Sequence, residues 1–507
     1  MTQNQEGKLP QSPEPYWRED IDLPAFDSLK DDTEADVVIV GGGITGITAA
    51  YLLVQEGLKV VLLEASNLLN GVTGHTTAKI TAQHGLTYDN LITHMGKSKA
   101  RLYYEANMEA LDFVKETVNE HQIDCEFTEQ DAYIYATTEE YARKIEKEHQ
   151  AYQALNIEGD LLDNIPFSIK VHNALSMKNQ AQFHPLKFLS HLVQTIKEKG
   201  GRIYENTTAV DVDKGDTVIT RDGHRVKGDF VLACSHYPFY DGMGFYFTRL
   251  HANRSYIVAI KTDKEYPGGM YLSVDKPVRS LRSVKVNGEE MVLIVGESHK
   301  TGQGKDTLEH YEALESFGRD VFGQHETAYR WSAQDLVSLD KVPYIGEITS
   351  GHPKVLVATG YRKWGMSSGI AAALLLRDIV TEKKNPYKEL FSPSRFYADP
   401  SLKTFLKQNV DVAEHLVKGK LEITNKRVEN LAAGEGGVVF YNGGRAGAYK
   451  EKNGELHVVD TTCSHMGCET EWNHGDRTWD CPCHGSRFSY NGDVIEGPAE
   501  EGLKRLN

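Results

Sequence analysis

Six cysteines occur in this 507-residue chain, and four of them fall in two short clusters near its C-terminus, Cys463-Ser-His465-Met-Gly-Cys468 and Cys481-Pro-Cys483-His484-Gly-Ser486. Each cluster sets a thiol beside an imidazole, as Cys-x-His in the first and Cys-x-x-His in the second. Cys463, His465, Cys481 and His484 are therefore candidate metal ligands. Two Cys and two His suit a [2Fe–2S] centre in which two imidazoles replace two thiolates on one iron. That exchange leaves the centre less negative, which raises its potential and suits it to one-electron transfer. A tetrahedral zinc site is the alternative reading of the same four residues. Zinc-finger spacing, however, keeps both Cys in one cluster and both His in the other, and here each cluster supplies one of each.

With Gly497-Pro498-Ala499 closing the region, these residues resemble the Rieske proteins of respiratory and photosynthetic cytochrome complexes, over about the last eighty residues. The resemblance implies that Cys468 and Cys483 pair as a disulfide bracing the two loops, with two free thiols as the alternative in a reducing compartment. It also implies that the Ser486 hydroxyl donates to a bridging sulfur. Phe488 stands where many high-potential members carry a Tyr donor, so a lower potential is expected.

Near the other end, the apolar run Val37-Val-Ile-Val40 leads into Gly41-Gly-Gly43-Ile44-Thr45-Gly46. Ile47, Ala50, Tyr51 and Val54 follow at helical spacing, then the strand-like Lys59–Leu63 and an acid, Glu64, 64 − 41 = 23 positions after the first glycine. This is a βαβ dinucleotide fingerprint in its proper context. Glycines make the turn and admit a phosphate, the helix N-terminus attracts it, and the carboxylate meets ribose hydroxyls.

Three further stretches resemble the amino-acid-oxidase family that includes D-amino acid oxidase and the glycine and sarcosine oxidases, over roughly residues 30 to 400. Gly71-Val-Thr73-Gly74-His75-Thr76-Thr-Ala78 resembles its flavin-side loop, and Thr207-Thr-Ala-Val210 its adenine-side strand. Asp340-Lys-Val-Pro343-Tyr-Ile-Gly346, then Val355 to Gly360 and Gly365-Met366-Ser-Ser-Gly369, resemble the strand and helix start that meet the flavin ring. The resemblance implies FAD, bound through Gly41, Gly43, Ile44, Thr45, Gly46, Glu64, Thr73 to Thr76, Val210, Gly360, Gly365 and Met366, with His75 in contact with it or covalently joined. Lys363, ahead of the last helix, adds a positive charge or is simply a loop lysine.

The resemblance also implies an amine or amino-acid donor, but with a departure. Where relatives grip a substrate carboxylate with an Arg before the Asp-x-x-Pro motif, this chain has Asp335, which attracts a cationic amine. Arg279 and Arg282 are the candidates to compensate, and His251, Arg254 and Tyr256 are further pocket candidates by position.

These elements require an α/β FAD-binding (Rossmann-like) domain with an α+β substrate domain, plus a small all-β Rieske domain. The expected organisation is a lead-in at 1–33, the flavin unit at 34–400 with substrate segments 86–180 and 240–330, a helical linker at 401–429 and the cluster module at 430–507. A net charge of 56 − 72 = −16 argues against a nucleic-acid partner. Neither a signal peptide nor a transmembrane run is evident, and Cys125 and Cys234 look like ordinary thiols, so a cytoplasmic location is expected. The combination suggests a dehydrogenase that takes electrons from a small amine-like donor and passes them singly to an acceptor protein or a quinone. An electron-transfer or redox-sensing protein without a carbon substrate is the alternative.

Overall fold

A computed structural model describes residues 9–10, 13–19, 21, 23–421, 424 and 426–507. Val37 to Val40 are apolar at successive positions because their strand, Thr33–Val40, is central and covered on both faces. Neighbouring it are Arg225–Ala233 and Val60–Leu63, both parallel, then Val355–Thr359 beyond the first and Arg202–Tyr204 beyond the second. Helices Ile44–Gln55 and Gly365–Val380 pack together beside this sheet. Gly369 permits their close crossing, since a Cβ there would lie 2.9 Å from Thr45 Oγ1.

A second sheet runs in the order Glu326–Ser338, Leu250–Lys261, Glu289–Lys300, Arg279–Val286, Met270–Ser273, Thr128–Ala136, Asn173–Gln182, Lys79–Ile80. Alternation along its strands gives it two different faces. Ile257, Ala259 and Trp331 enter the core shared with the nucleotide-binding sheet, whereas Tyr256, Val258 and Ile260 pack with Tyr311 and Leu314 of helix Leu308–Phe322.

The C-terminal module is all β, with one sheet of Gly436–Tyr441, Gly444–Lys450 and Leu456–Val459 and another of Glu471–Asn473, Thr478–Asp480, Arg487–Ser489 and Val494–Glu496. Helix Ala398–Leu421 joins it to the rest and lays Val412 and Leu416 against the cysteine loops. Residues 422, 423 and 425 of the expected linker lie outside the described residues, as do residues 1–8, 11, 12, 20 and 22 of the lead-in. Elsewhere the lead-in enters the core. Trp17 is 1% exposed, and its indole N–H donates to the Thr76 carbonyl at 2.7 Å. No helix among the described residues is long and apolar enough to cross a membrane.

Candidate functional site

The two cysteine loops are closed by their own backbones. Cys463 N–H donates to the Cys468 carbonyl at 2.8 Å and Cys481 N–H to the Ser486 carbonyl at 2.8 Å. A Cys468–Cys483 disulfide ties the loops together, with Cα atoms 6.6 Å apart. This brings the thiols of Cys463 and Cys481 into contact; the hydrogen bond from Cys481, joined by Ser486, holds the Cys463 thiol below its ordinary pKa. Ser486 Oγ also accepts the Ala499 amide at 3.0 Å.

The imidazoles of His465 and His484 stand 4.9 Å apart at 88°. Each has a buried Nδ1 with no hydrogen-bond partner, and burial lowers both pKa values, that of His484 to about 3. Two adjoining thiols and two neutral, unpartnered ring nitrogens form the donor set that a mixed Cys/His centre needs. The rings are met by Tyr237 at 6.2 Å and Phe247 at 6.0 Å, both from the N-terminal part of the chain.

At the other candidate site, Gly41 has φ +111°, and a Cβ there would lie 2.5 Å from the Cys234 carbonyl oxygen. A Cβ on Gly46 would fall 1.9 Å from the Gly41 carbonyl oxygen. Gly43 caps helix Ile44–Gln55 without offering a side-chain acceptor, so the helix start can receive a phosphate. Glu64 ends its strand as expected and also braces the turn, accepting from Gly42 N–H at 2.8 Å and Ser66 N–H at 2.9 Å. Thr73 Oγ1 accepts the Ile44 amide at 3.0 Å, which draws the loop Thr73–Thr76 onto the glycine turn. His75 lies in that loop with Nδ1 2.9 Å from the Gly71 carbonyl.

Gly360 ends the strand Val355–Thr359 in the left-handed region, and Arg362 and Lys363 follow there too, at φ 49° and 72°. Such residues need outside support. Asp335 provides it by accepting the Lys363 amide on Oδ1 at 2.9 Å, just ahead of helix Gly365–Val380 and Met366. Burial pushes Asp335 up to about 6, against the pull of the Lys363 ammonium and amide. The Lys363 side chain is accessible yet surrounded by protein, and desolvation lowers its pKa. Val210 lies on strand Ala209–Asp213 at the margin of the same sheet.

Residues 36–379 match the family model described as FAD dependent oxidoreductase, and residues 421–507 match the Rieske [2Fe-2S] domain. The chain belongs to the FAD-dependent oxidoreductase family and ends in a Rieske domain. It is 53% identical, over 98% of both chains, to the Bacillus subtilis protein YhfW, whose name assigns it to the Rieske 2Fe-2S iron-sulfur proteins. It is 25% identical to gamma-glutamylputrescine oxidoreductase of Escherichia coli over 39% of this chain and 47% of that one. The glycine oxidase of Geobacillus kaustophilus has the same fold, at a TM-score of 0.61 and 18% identity over 72% of this chain and 99% of that one. FAD and a [2Fe–2S] cluster are the cofactors of these two families.

The flavin and Rieske domains meet across the substrate sheet. Arg254, fully buried, places Nε 3.5 Å from Asp480 and its terminal nitrogens 3.4 Å from Glu496 and 3.9 Å from Asp476, all Rieske residues. Burial works against its charge, but those three carboxylates outweigh it and hold the guanidinium above its ordinary pKa. Arg487 joins the set, 2.5 Å from Asp476, and Tyr311 donates to Asp476 at 2.7 Å. Gly485 admits the close approach of Ala252, since a Cβ on it would lie 2.3 Å from that of Ala252.

The structure thus puts Arg254 and Tyr256 on the face opposite the flavin side. The other two arginines are engaged too, Arg279 within the substrate domain and Arg282 with the loop that precedes it. Arg279 pairs with Glu297 at 2.6 Å, and Arg282 holds the Thr77 and Ala78 carbonyls at 2.6 and 2.8 Å. His251 is half-buried, with Nδ1 unpartnered, and burial takes its pKa to about 4.

Several contributors escaped the sequence reading because their partners are distant. Glu205 accepts the amides of Phe26 and Leu68, fastening the lead-in to the flavin loop. Arg395 clamps Asp340 of the Asp-x-x-Pro motif through two bonds, at 2.7 and 2.8 Å. Cys125 and Cys234 are free and buried, and burial raises each thiol to about 12.

Proposed function

We propose that this protein is a dehydrogenase that oxidises a small cationic amine and releases the electrons singly through its Rieske domain. One observation carries the reading. Gln334 and Asp335 are consecutive on one strand, and the first bonds the loop that holds His484 and Cys481 while the second supports the turn at Lys363. Consecutive strand residues face opposite sides, so the two sites lie back to back on a single sheet. When bound, FAD accepts a hydride and the cluster carries one electron at a time.

Cys463, His465, Cys481 and His484 would hold the cluster, and the glycine turn, Glu64, the loop Thr73–Thr76 and the start of helix Gly365–Val380 would hold FAD. Asp335 attracts the donor's ammonium and takes its proton on Oδ2, leaving the neutral amine from which hydride departs. Lys363 and the amides opening helix Gly365–Val380 would favour negative charge on FAD held there. With Arg279 and Arg282 committed elsewhere, neither is free to grip a donor carboxylate, which favours an amine over an amino acid.

An anaerobic panel of amines, amino acids and NADPH, followed by visible and EPR spectra, tests this. Bleaching of flavin and appearance of the reduced-cluster signal with an amine are expected. Bleaching only by NADPH, or bleaching with a cluster that stays oxidised, would overturn it.

A further inference from the structure

The exposed large apolar side chains of this protein are concentrated on two adjoining segments. Among the described residues there are eleven, and five of them, Phe396, Leu402, Leu406, Val410 and Val417, lie on or just before helix Ala398–Leu421. Two more, Met243 and Phe245, sit on the loop ahead of the one-turn helix Tyr246–Arg249. The segments touch, since Asn409 donates to the Thr248 carbonyl at 3.1 Å and Arg249 to the Pro393 carbonyl. Met243 is 80% exposed, Phe396 71% and Val410 66%, far more than a settled core contact leaves open.

Leu402, Leu406, Val410, Ala413 and Val417 recur at three- and four-residue spacing, so they form one stripe along about 22 Å of helix. No charged residue interrupts it. Exposed Lys403, Lys407 and Glu414, each one position further along, flank the stripe. The neighbouring stripe, with Val412 and Leu416, is the one that packs on the Rieske loops. The helix is therefore apolar on two adjacent strips, and the fold covers one.

We propose that the uncovered strip, with Phe396, Met243 and Phe245, is a membrane-surface contact whose occupant is an anionic lipid bilayer. A helix lying on the protein surface with Leu, Val and Phe outward and Lys beside them has the form that settles into a headgroup boundary. Its convex shape needs no matching groove. Charge complementarity selects anionic lipid: the chain carries −16 overall, so a bilayer of that sign repels most of the molecule and admits this face, where Lys403 and Lys407 outnumber Glu414. Contact is peripheral, as no described helix can span. The inner side of the same helix reaches the Rieske loops, with the Val412 carbonyl 3.9 Å from Cys483 Sγ. The bilayer then lies within about one helix diameter, roughly 10 Å, of those loops, and is the phase in which a lipid-dissolved quinone resides.

Flotation of the purified holoprotein with vesicles of phosphatidylglycerol and phosphatidylethanolamine, against vesicles of phosphatidylcholine alone, tests the proposal. Binding to the anionic vesicles that weakens with salt is expected. Leu406→Glu with Val410→Glu should cut the bound fraction about tenfold or more, because two apolar anchors become charged. Lys403→Glu with Lys407→Glu should abolish the preference for anionic lipid. Both double variants should keep wild-type melting, flavin and iron content, since these side chains are exposed. Wild-type protein that stays with the unbound fraction overturns the proposal. So does a wild-type dimer that Leu406→Glu with Val410→Glu turns into monomer without any vesicle binding, for the strip is then a contact between copies.

Discussion

Gln334 donates from Nε2 to the Gly485 carbonyl at 2.8 Å, one residue beyond the imidazole of His484. Its own Oε1 accepts from Arg254 at 3.2 Å and from Thr301 at 2.8 Å. A single amide side chain thus ties the His484 loop to the sheet that carries Asp335, and Arg254 fixes that amide in place. The join is polar and fully buried, unlike the wet contacts common between domains of one chain.

Arg254→Leu should loosen this join. The substitution leaves Arg487 alone against Asp476, Asp480 and Glu496, and removing one partner from a buried charge set costs about 3–5 kcal/mol. The expected outcome is a lower melting temperature with a separate early transition for the Rieske domain, and faster proteolysis near residues 421–430. Calorimetry and a timed protease digest check it; an unchanged single transition would mean that apolar packing alone holds the domains together.

Asp335→Asn should change how stability depends on pH. The folded chain keeps a proton on Asp335 up to about pH 6, whereas the unfolded chain loses it near 3.8. The folded state then binds more protons between those values, so stability falls as pH rises from about 4 to about 6 and the loss persists above. The cost is at most roughly 3 kcal/mol, reduced by the partial exposure of the group. Asn keeps the acceptor for the Lys363 amide but sheds the charge. Its melting temperature should match the wild type near pH 4, exceed it progressively to pH 6, and stay higher by a constant margin beyond. A margin that shrinks between pH 4 and 6 would contradict the assigned environment.

Ser486→Ala should lower the midpoint potential of the Rieske cluster. The hydroxyl stands at the Cys463 thiol, fixed there by the Ala499 amide at 3.0 Å, and hydrogen bonds to ligating sulfur stabilise the reduced state. Phe488→Tyr should act in the opposite direction, as Phe488 is fully buried among Cys463, Cys481 and Trp479 and a phenol there adds a donor. A redox titration followed by EPR measures both. Equal potentials in all three proteins would show that neither side chain reaches the cluster's sulfurs.

What the sequence disclosed and what it hid divide along chain separation. The glycine turn and the two cysteine loops were readable because their partners lie within about twenty-five positions and their chemistry is stereotyped. Trp17 was not readable: the surrounding lead-in is acidic and proline-bearing, and its contact, the Thr76 carbonyl, is 59 positions away. Arg254 looked like a pocket residue because strand periodicity does not say which face is which until the neighbouring domain is placed. Arg395 gave no signal, since its bond to Asp340 spans 55 positions and a lone arginine between two structured stretches is ordinary.

Gly46→Ala should empty the flavin site while sparing the Rieske cluster. The new methyl would sit 1.9 Å from the Gly41 carbonyl oxygen, which is rigid backbone, so the turn must open or the helix must shift. Either movement spoils the cradle for the pyrophosphate. The C-terminal loops share no backbone hydrogen bond with that turn and should assemble as before. The readout is the ratio of flavin to iron in the purified protein, expected to fall toward zero at unchanged iron and unchanged Rieske EPR signal. Gly351→Ala is the matched control in the same domain, where the nearest atom to a new Cβ is Thr349 Oγ1 at 3.9 Å, and it should keep full flavin. A Gly46→Ala protein with stoichiometric flavin would show that the dinucleotide is held elsewhere, and the glycine turn would then be structural alone.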